Sequence, residues 1–347
     1  MSFTDLTNEL KSGADLKVGE VREAAEGLLS EGGDVEAKVE FLGALADKGE
    51  TAAEISGFVE VFLEHAVDPG IDKAALRGPT VDVCGTGGDK LNLFNVSTTS
   101  MFVVAAAGAC VLKHGNRGIT SKSGGADVLE ALGVRIDLPA EEFAACIAEH
   151  GVGFMLAPQY HPAFKSVVPV RKVLAERGKR TVFNLIGPLL NPARPDYQLL
   201  GAFDRGLPPI YADILGKLGR KRAWSVCGDA GDGRGMDEFS ILGANRVCVS
   251  EAGETSEMTV EPGELGLGEG ARLEDLAGGD ATENAEILVA VLAGNVRGPK
   301  RDMVVLNAAA ALAVCGVCAD LRAAVVKAGE VIDSGAALGK LEALREG

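Results

Sequence analysis

A strand-like segment, a glycine-rich turn and a helix start, in that order, constrain this chain more than any other feature. Residues 80–83 are mostly apolar and are typical of a buried strand, and Gly-Thr-Gly-Gly-Asp follows at 85–89. The hydroxyl-bearing segment 95–98 then precedes the apolar, helix-like segment 101–108. Glycine lets a backbone approach an anion closely, and backbone N–H groups at a helix start attract negative charge. The pattern predicts a phosphate site.

A second segment carries the positive charge that such a site needs. Residues 113–117 read Lys-His-Gly-Asn-Arg, and the hydroxyl-rich segment 120–123 follows. The glycine turn by itself is weak evidence, because glycine pairs most often mark ordinary turns. It also matches neither the Walker pattern nor the G-x-G-x-x-G dinucleotide pattern.

Composition narrows the class of partner. With 34 basic and 50 acidic residues the net charge is −16, which argues against nucleic acid and anionic membranes as partners. A phosphate ligand therefore requires a local basic pocket, for which Lys113, Arg117 and Lys122 are the candidates. The longest apolar run, 101–112, is shorter than the about 20 residues of a membrane helix, and the N-terminus lacks the pattern of a secretory signal.

The seven cysteines are scattered, which predicts reduced thiols in a cytoplasmic protein. Cys315 and Cys318 form a C-x-x-C pair inside an alanine-rich run, 309–320, that we interpret as helical. No second pair and no nearby histidine complete a metal site there, so packed side chains are the better interpretation.

Two patterns divide the chain. Up to about residue 70, apolar residues recur at helical spacing, which predicts helices near 21–29, 35–45 and 55–65. From residue 80 onward, short apolar or β-branched runs alternate with helical segments. The predicted strands are 80–84, 152–156, 198–203, 222–226 and 247–250, and the predicted helices are 97–108, 124–133, 140–150 and 207–218. This alternation predicts a mostly parallel sheet flanked by helices, with ligands beyond the carboxyl ends of its strands.

The motifs together resemble a known family, the anthranilate phosphoribosyltransferases. The resemblance is carried, in order, by 85–89, 95–98, 113–117, 124–133, 183–195, Asp237-Glu238 and 306–310. It implies an α/β fold of the nucleoside phosphorylase and phosphoribosyltransferase type. A small N-terminal all-helical domain, 1–72 with a helical return around 162–180, would join a larger α/β domain, 73–347. Substrates would bind in the cleft between the two domains.

The resemblance also implies a reaction and its site residues. The amine of anthranilate would attack C1 of phosphoribosyl pyrophosphate (PRPP) and release pyrophosphate, with Mg²⁺ as the cofactor and a homodimer as the assembly. The implied PRPP-binding residues are Gly85, Gly88, Asp89, Asn95, Val96, Ser97, Thr98, Lys113, His114, Gly115, Asn116, Arg117, Thr120 and Ser121. The implied anthranilate-binding residues are Gly85, His114, Asn116, Pro158, Phe164 and Arg171. The implied metal ligands are Ser97, Asp237 and Glu238.

Physical reasons support several of these roles. Hard carboxylate oxygens suit Mg²⁺, although an isolated Asp-Glu pair is usually only solvated surface. The guanidinium fork of Arg171 matches a carboxylate, and Pro158 and Phe164 would form apolar walls. An aromatic amine is already a nucleophile, so His114 need only orient it, and no side chain is assigned as a general acid or base.

Two segments depart from the family pattern. Lys90-Leu91-Asn92-Leu93 stands where glycine and small or hydroxylated residues are usual, and Leu93 replaces a residue that often offers a hydroxyl. Lys90 would offset the loss with charge or point to solvent. The segment 172–179, close to Arg171, is longer than usual.

Other functions remain open at this stage. A pyrimidine nucleoside phosphorylase shares the architecture, but its loop typically carries a Lys-His-Ser-Thr-Gly-Gly run that differs from residues 83–88 here. A phosphoribosyltransferase acting on another aromatic amine is a further alternative. A non-catalytic relative that binds nucleic acid would need a basic groove, which the net charge disfavours.

Overall fold

The computed structural model describes residues 1–118 and 122–346. Thr120 and Ser121, two of the predicted phosphate-binding residues, therefore lie outside the described residues.

The regular elements alternate along most of the chain. The helices are α1 Phe3–Lys11, α2 Val18–Leu29, α3 Val35–Lys48, α4 Ala52–Glu64, α5 Val96–Ala106, α6 Gly125–Ala131, α7 Ala140–His150, α8 Ala157–Tyr160, α9 Val168–Glu176, α10 Leu207–Lys217, α11 Ala281–Leu292, α12 Pro299–Val314, α13 Leu321–Asp333 and α14 Ala336–Glu346. The strands are β1 Thr80–Gly85, β2 Cys110–Gly115, β3 Val152–Leu156, β4 Tyr197–Gly201, β5 Arg222–Asp229, β6 Gly235–Met236, β7 Asn245–Glu251 and β8 Glu254–Val260.

The chain divides into two compact units. A helical unit consists of Met1–Asp68 and Pro158–Pro192, and an α/β unit consists of Pro69–Ala157 and Ala193–Gly347. The predicted fold class, a small helical domain with a larger α/β domain, is confirmed. The observed return to the helical unit is longer than the predicted 162–180.

Aromatic packing explains why the later segment joins the helical unit. Phe62 of α4 is fully buried, and its ring stacks on Phe183 with centroids 5.7 Å apart. Phe164 meets the same Phe62 ring edge-on at 5.1 Å. Both partners come from the returning segment, so burial of these rings ties it to α4.

The longer segment 172–179 is anchored within the helical unit. It continues the C-terminal end of α9, where Arg177 pairs with Glu36 of α3 at 2.8 Å and Lys179 pairs with Asp47. Gly178, with φ of 66°, ends this stretch in the left-handed conformation that glycine accepts most easily.

The central sheet of the α/β unit has the strand order β3-β2-β1-β4-β5-β7-β8, and β6 pairs with β5. The first five strands in this order, β3, β2, β1, β4 and β5, are parallel to one another. Strand β7 pairs antiparallel with β5, and β8 pairs antiparallel with β7. The predicted mostly parallel sheet is thus confirmed. Strands β2, β6 and β8 were not predicted. The helix predicted over 309–320 is wrong beyond Val314, because Gly316 turns the chain with φ of 74°.

Helix α12 forms the centre of the α/β core. Every residue from Met303 to Val314 is buried, including the amide side chain of Asn307. The helix packs against α5 and α13 and also meets β4. Among the described residues, no helix is both long enough and apolar enough to cross a bilayer.

Candidate functional site

Glycines at the strand ends make room for an acidic segment. Gly85 ends β1 and Gly201 ends β4, and the two are partners in the parallel register. A Cβ at Gly201 would lie 1.7 Å from the backbone oxygen of Asp237, and one at Gly85 would lie 2.7 Å from it. Only glycine therefore allows Asp237-Glu238 to cross these carboxyl ends at such short range.

The Asp237 carboxylate is buried against the glycine turn. Its Oδ2 accepts hydrogen bonds from the Gly87 N–H and, at 3.2 Å, from the Thr86 hydroxyl. Burial raises the pKa of Asp237 well above its ordinary value, and the nearby charges of Asp89 and Glu238 raise this pKa further. The site thus concentrates acidic groups that repel one another.

The side chain of Glu238 lies at the N-terminal end of α5. Its Oε1 accepts the Ser97 N–H at 3.1 Å and also the Ser97 hydroxyl. Burial raises the pKa of Glu238 to about 7, while the hydrogen bonds from Ser97 and the charge of Lys113 oppose the rise. The helix N-terminus that the sequence assigns to phosphate therefore also holds a carboxylate in this structure.

These oxygen donors fit a hard divalent cation. Carboxylates that are buried together with raised pKa values are stabilised in their charged form by a cation, and Mg²⁺ prefers such ligands. Within 1–118 and 122–346, no group of three His, Cys, Asp or Glu side chains forms a complete metal site. Mg²⁺ usually takes one or two carboxylates and completes its shell with water and substrate phosphate.

The remaining residues of the predicted phosphate loop pack against neighbouring segments of the chain. A Cβ at Gly88 would lie 2.4 Å from the ring of Phe203, and one at Gly125 would lie 3.0 Å from the Thr98 hydroxyl. Asn95 donates to the Ser123 carbonyl at 3.2 Å and accepts from Asn284 at 2.9 Å. Val96 is buried at the first position of α5, so only its backbone, and not its side chain, is available to a phosphate ligand.

Strand β2 directs the first basic residues inward. Lys113 is buried, and its ammonium donates to the Val83 carbonyl at 2.6 Å. His114 is also buried, and a Cβ at Gly115 would lie 2.8 Å from the ring of Phe154. Gly115 is therefore required by packing against that ring.

Asn116 and Arg117 follow β2 on the surface. The Arg117 guanidinium pairs with Glu130 at 2.6 Å and with Asp127 at 3.3 Å, both on α6. Asn116 accepts the Arg117 N–H at 2.8 Å through its side chain. In this structure the charge of Arg117 is thus directed to α6.

The helical unit carries the other predicted acceptor residues. The Arg171 guanidinium lies over the Phe183 ring, 5.8 Å from its centroid, and Phe164 meets that ring edge-on at 5.9 Å. Arg171 and Pro158 are both exposed. No ion pair joins Arg171 to a carboxylate among the residues that the structure describes.

The unusual loop after the glycine turn has two residues in the left-handed region. Lys90 has φ of 57° and Asn92 has φ of 54°, and both side chains are exposed. Leu93 forms an isolated antiparallel bridge with Ala277, and its side chain packs against the hydrophobic core. The loop is thus fixed at Leu93 and open at Lys90.

Sequence reasoning missed two residues that form hydrogen bonds to predicted site residues. Thr86 donates to Asp237, and Asn284 of α11 donates to Asn95. Thr86 stands inside the glycine turn, so its hydroxyl was a usable signal. Asn284 is 189 positions from its partner, and no local pattern indicates that contact.

Comparison with known proteins shows what this chain is similar to. Residues 77–338 match the model of a family described as "Glycosyl transferase family, a/b domain". The anthranilate phosphoribosyltransferase of Haloferax volcanii is 46% identical over 342 residues, covering 99% of this chain and 99% of that protein. The enzyme of the same name from Desulfatibacillum aliphaticivorans is 43% identical, covering 99% and 97%.

Solved structures agree. The anthranilate phosphoribosyltransferase of Thermus thermophilus superposes with a TM-score of 0.88 at 37% identity, covering 99% of this chain and 98% of that one. The Saccharomyces cerevisiae enzyme in complex with PRPP and Mg gives a TM-score of 0.85 at 28% identity, covering 99% and 97%. Both similarities extend over nearly the whole chain.

Proposed function

Because the chain belongs to the anthranilate phosphoribosyltransferase family, we propose that it transfers the phosphoribosyl group of PRPP to the amine of anthranilate. The products are phosphoribosyl-anthranilate and pyrophosphate, in a step of tryptophan biosynthesis. The observation that carries the proposal is the group formed by Asp89, Asp237 and Glu238 beside the glycine turn and the start of α5.

The acidic group is proposed to bind the pyrophosphate end of PRPP together with Mg²⁺. Asp237, Glu238 and the Ser97 hydroxyl would hold the ion. When bound, Mg²⁺ supplies positive charge where the leaving pyrophosphate becomes more negative. The backbone N–H groups around Gly88 and the side chains of Asp89, Asn95 and Thr98 would orient the phosphates, which lowers the barrier by positioning.

The residues of β2 and the loop after it are proposed to bind the phosphoribosyl part. Lys113 is buried, with its ammonium on the Val83 carbonyl, and its charge opposes the rise in the pKa of Glu238. Its ammonium would stabilise phosphate as a point charge. Arg117 would contribute only after exchanging its pairs with Glu130 and Asp127 for the ligand.

Six residues are proposed to bind anthranilate. In the α/β unit these are Gly85, His114 and Asn116, with His114 orienting the amine. In the helical unit Arg171 would pair with the carboxylate, and Pro158 and Phe164 would contact the aromatic ring. The guanidinium of Arg171 lies over the Phe183 ring, and partial burial lowers its pKa, so a carboxylate would supply the charge partner and the bidentate pair that this group can form.

An acceptor panel tests the function and separates it from the alternatives. Purified protein is mixed with PRPP, Mg²⁺ and one aromatic amine at a time, and loss of anthranilate fluorescence is followed beside substituted anthranilates and aniline. We expect anthranilate to react and aniline, which lacks the carboxylate, to be at least about tenfold poorer. Faster reaction of a different amine, or phosphate-dependent cleavage of a pyrimidine nucleoside instead, would contradict the proposal.

The cellular setting is also a proposal. Seven free thiols support a reducing, cytoplasmic location. A homodimer is supported by the family resemblance, and light scattering on the purified protein would measure it.

A further inference from the structure

The buried amide of Asn307 holds the backbone next to the acidic pair, and we propose that Asn307 is a positioning residue for Mg²⁺–PRPP binding. This inference rests on the proposed function, since it concerns the same acidic segment. It gives a role to the motif at 306–310, to which the sequence analysis assigned none.

The contacts of Asn307 resemble those of a neighbouring strand. Its Oδ1 accepts the Phe239 N–H at 2.9 Å, and its Nδ2 donates to the Phe239 carbonyl at 2.8 Å. Nδ2 also donates to the Met303 carbonyl at 2.9 Å. Asn307 is 1% exposed, so both polar groups of Phe239 would lose their partner without gaining water if the amide were removed.

A second buried amide holds the next residue in the same manner. Asn245, at the start of β7, accepts the Ser240 N–H at 2.7 Å and donates to the Ser240 carbonyl at 2.9 Å. The backbone N–H and C=O of two consecutive residues after Glu238 are thus bonded by side-chain amides, one 68 positions away on α12 and one 5 positions away at the start of β7.

Close backbone contacts also restrict the acidic segment Asp237-Glu238 where it crosses the strand ends. Besides Gly85 and Gly201, Gly228 of β5 approaches it so closely that a Cβ there would lie 2.5 Å from the Glu238 carbonyl. Asp237-Glu238 is therefore confined between glycine backbone and the two amides. Because α12 is buried from Met303 to Val314, Asn307 is itself rigidly placed.

This confinement has a consequence for metal binding. Groups that orient a metal's ligands typically change metal affinity by about 10–100-fold when they are removed. Asn307 acts one residue beyond Glu238, through the backbone, so the lower end of this range is the expectation. A residue that served only the core would lower stability without changing how strongly Mg²⁺ promotes PRPP binding.

Calorimetry on the whole protein measures the difference. PRPP is titrated without acceptor, once with Mg²⁺ and once with EDTA, and the ratio of the two dissociation constants gives the Mg²⁺ enhancement. For Asn307→Leu we expect this enhancement to fall about tenfold. Leu312→Ala, a core truncation on the same helix, is the control. It should lower the melting temperature and leave the enhancement at the wild-type value.

Asn307→Asp is the second variant, chosen because it keeps the shape of the side chain. It retains an acceptor for the Phe239 N–H but has no donor for the Phe239 carbonyl. Its added negative charge would by itself strengthen Mg²⁺ binding and weaken that of metal-free PRPP, which raises the enhancement. Loss of positioning lowers the Mg²⁺ enhancement, so the added charge and the lost positioning change the enhancement in opposite directions.

A lowered enhancement in Asn307→Asp supports the proposal even if Asn307→Leu does not fold. A wild-type enhancement in a folded variant that removes the amide without adding charge, either Asn307→Leu or Asn307→Ala, overturns it. Failure of the wild-type protein to bind PRPP at all would instead count against the proposed function, so the two failures are distinguishable.

Discussion

The backbone oxygen of Asp237 lies so close to Gly201 that a Cβ at that position would be 1.7 Å away. No side-chain rotation relieves this overlap, because the atom belongs to the main chain. The position of the acidic pair is therefore coupled to a glycine on β4 that carries no chemistry itself.

Gly201→Ala should displace the acidic segment. A shift of about 1 Å in catalytic groups costs on the order of a hundredfold in rate, so kcat/KM should fall by at least that factor. Gly339→Ala on α14 is the matched control, since its Cβ meets nothing within 4 Å and alanine favours helix. The measurement is kcat/KM of the two folded variants by steady-state kinetics. Equal kcat/KM values for Gly201→Ala and Gly339→Ala would refute the coupling between Gly201 and the acidic pair.

Asp237→Asn removes one charge while keeping an acceptor for Gly87 and Thr86. Turnover should fall at least about tenfold, and the Mg²⁺ concentration for half-maximal rate should rise. The measurement is a Mg²⁺ titration of the initial rate. Normal activity and normal metal dependence in the double variant Asp237→Asn, Glu238→Gln would remove both residues from the metal site.

The raised pKa of Glu238, about 7 against an ordinary 4.5, makes metal-free stability depend on pH. The folded state holds a proton that the unfolded state releases, so this contribution to stability is complete below pH 4.5 and is lost as pH rises through 7. Mg²⁺ must displace that proton, so its affinity should increase over the same interval.

Melting temperatures of metal-free protein at about pH 5.5 and about pH 8 test the sign. Glu238→Gln should gain more stability over the wild type at the higher pH, where the wild-type carboxyl is ionised and buried. An equal gain at both values would mean that the carboxyl does not titrate in this range.

Arg171→Ala should raise the KM for anthranilate about tenfold or more and leave that for PRPP nearly unchanged, since a bidentate carboxylate pair is lost. Lys172→Ala, the adjacent exposed residue of α9, controls for charge alone. The prediction would be wrong if both substrates lost affinity equally.

Lys90 is expected to contact PRPP by charge, because few cations are available in a chain with a net charge of −16. Lys90→Ala should weaken PRPP binding and reduce its salt dependence. Asn92→Gly relaxes the neighbouring left-handed residue without changing charge, so it should leave the affinity unaltered. Unchanged affinity in Lys90→Ala would show that the lysine faces solvent.

The structure also changes one expectation for this loop. If Leu93 had merely removed a phosphate contact, Leu93→Ser would tighten PRPP binding by about 1 kcal/mol. Because the Leu93 side chain packs against the core, we now expect that variant chiefly to lose stability, which a thermal melt would measure.

Most of the fold could be predicted from local sequence patterns. Strand β1 and the start of α5 were predicted because apolar residues, glycines and hydroxyls follow one another within a short segment. Strand β2 was missed because residues 109–112 continue the apolar run of α5, and short apolar runs do not distinguish helix from strand. Strand β8 was missed because its exposed, polar residues show no buried face.

The geometry of the site depends on contacts between distant positions. Ser97 and Glu238 are 141 positions apart, and nothing near either residue indicates that the carboxylate would occupy the start of α5. The pairing of Arg117 with Glu130 likewise follows from how α6 folds back. Residue types at the site were therefore predictable, and their present partners were not.

The most direct test of the proposed transfer is its stoichiometry. Anthranilate, PRPP and Mg²⁺ are incubated with the wild-type protein, and anthranilate consumed is compared with pyrophosphate and phosphoribosyl-anthranilate formed, by mass spectrometry. We expect equal amounts of all three and no consumption of anthranilate when PRPP, Mg²⁺ or the protein is omitted. Pyrophosphate release that does not depend on anthranilate, or no consumption of anthranilate, would contradict it.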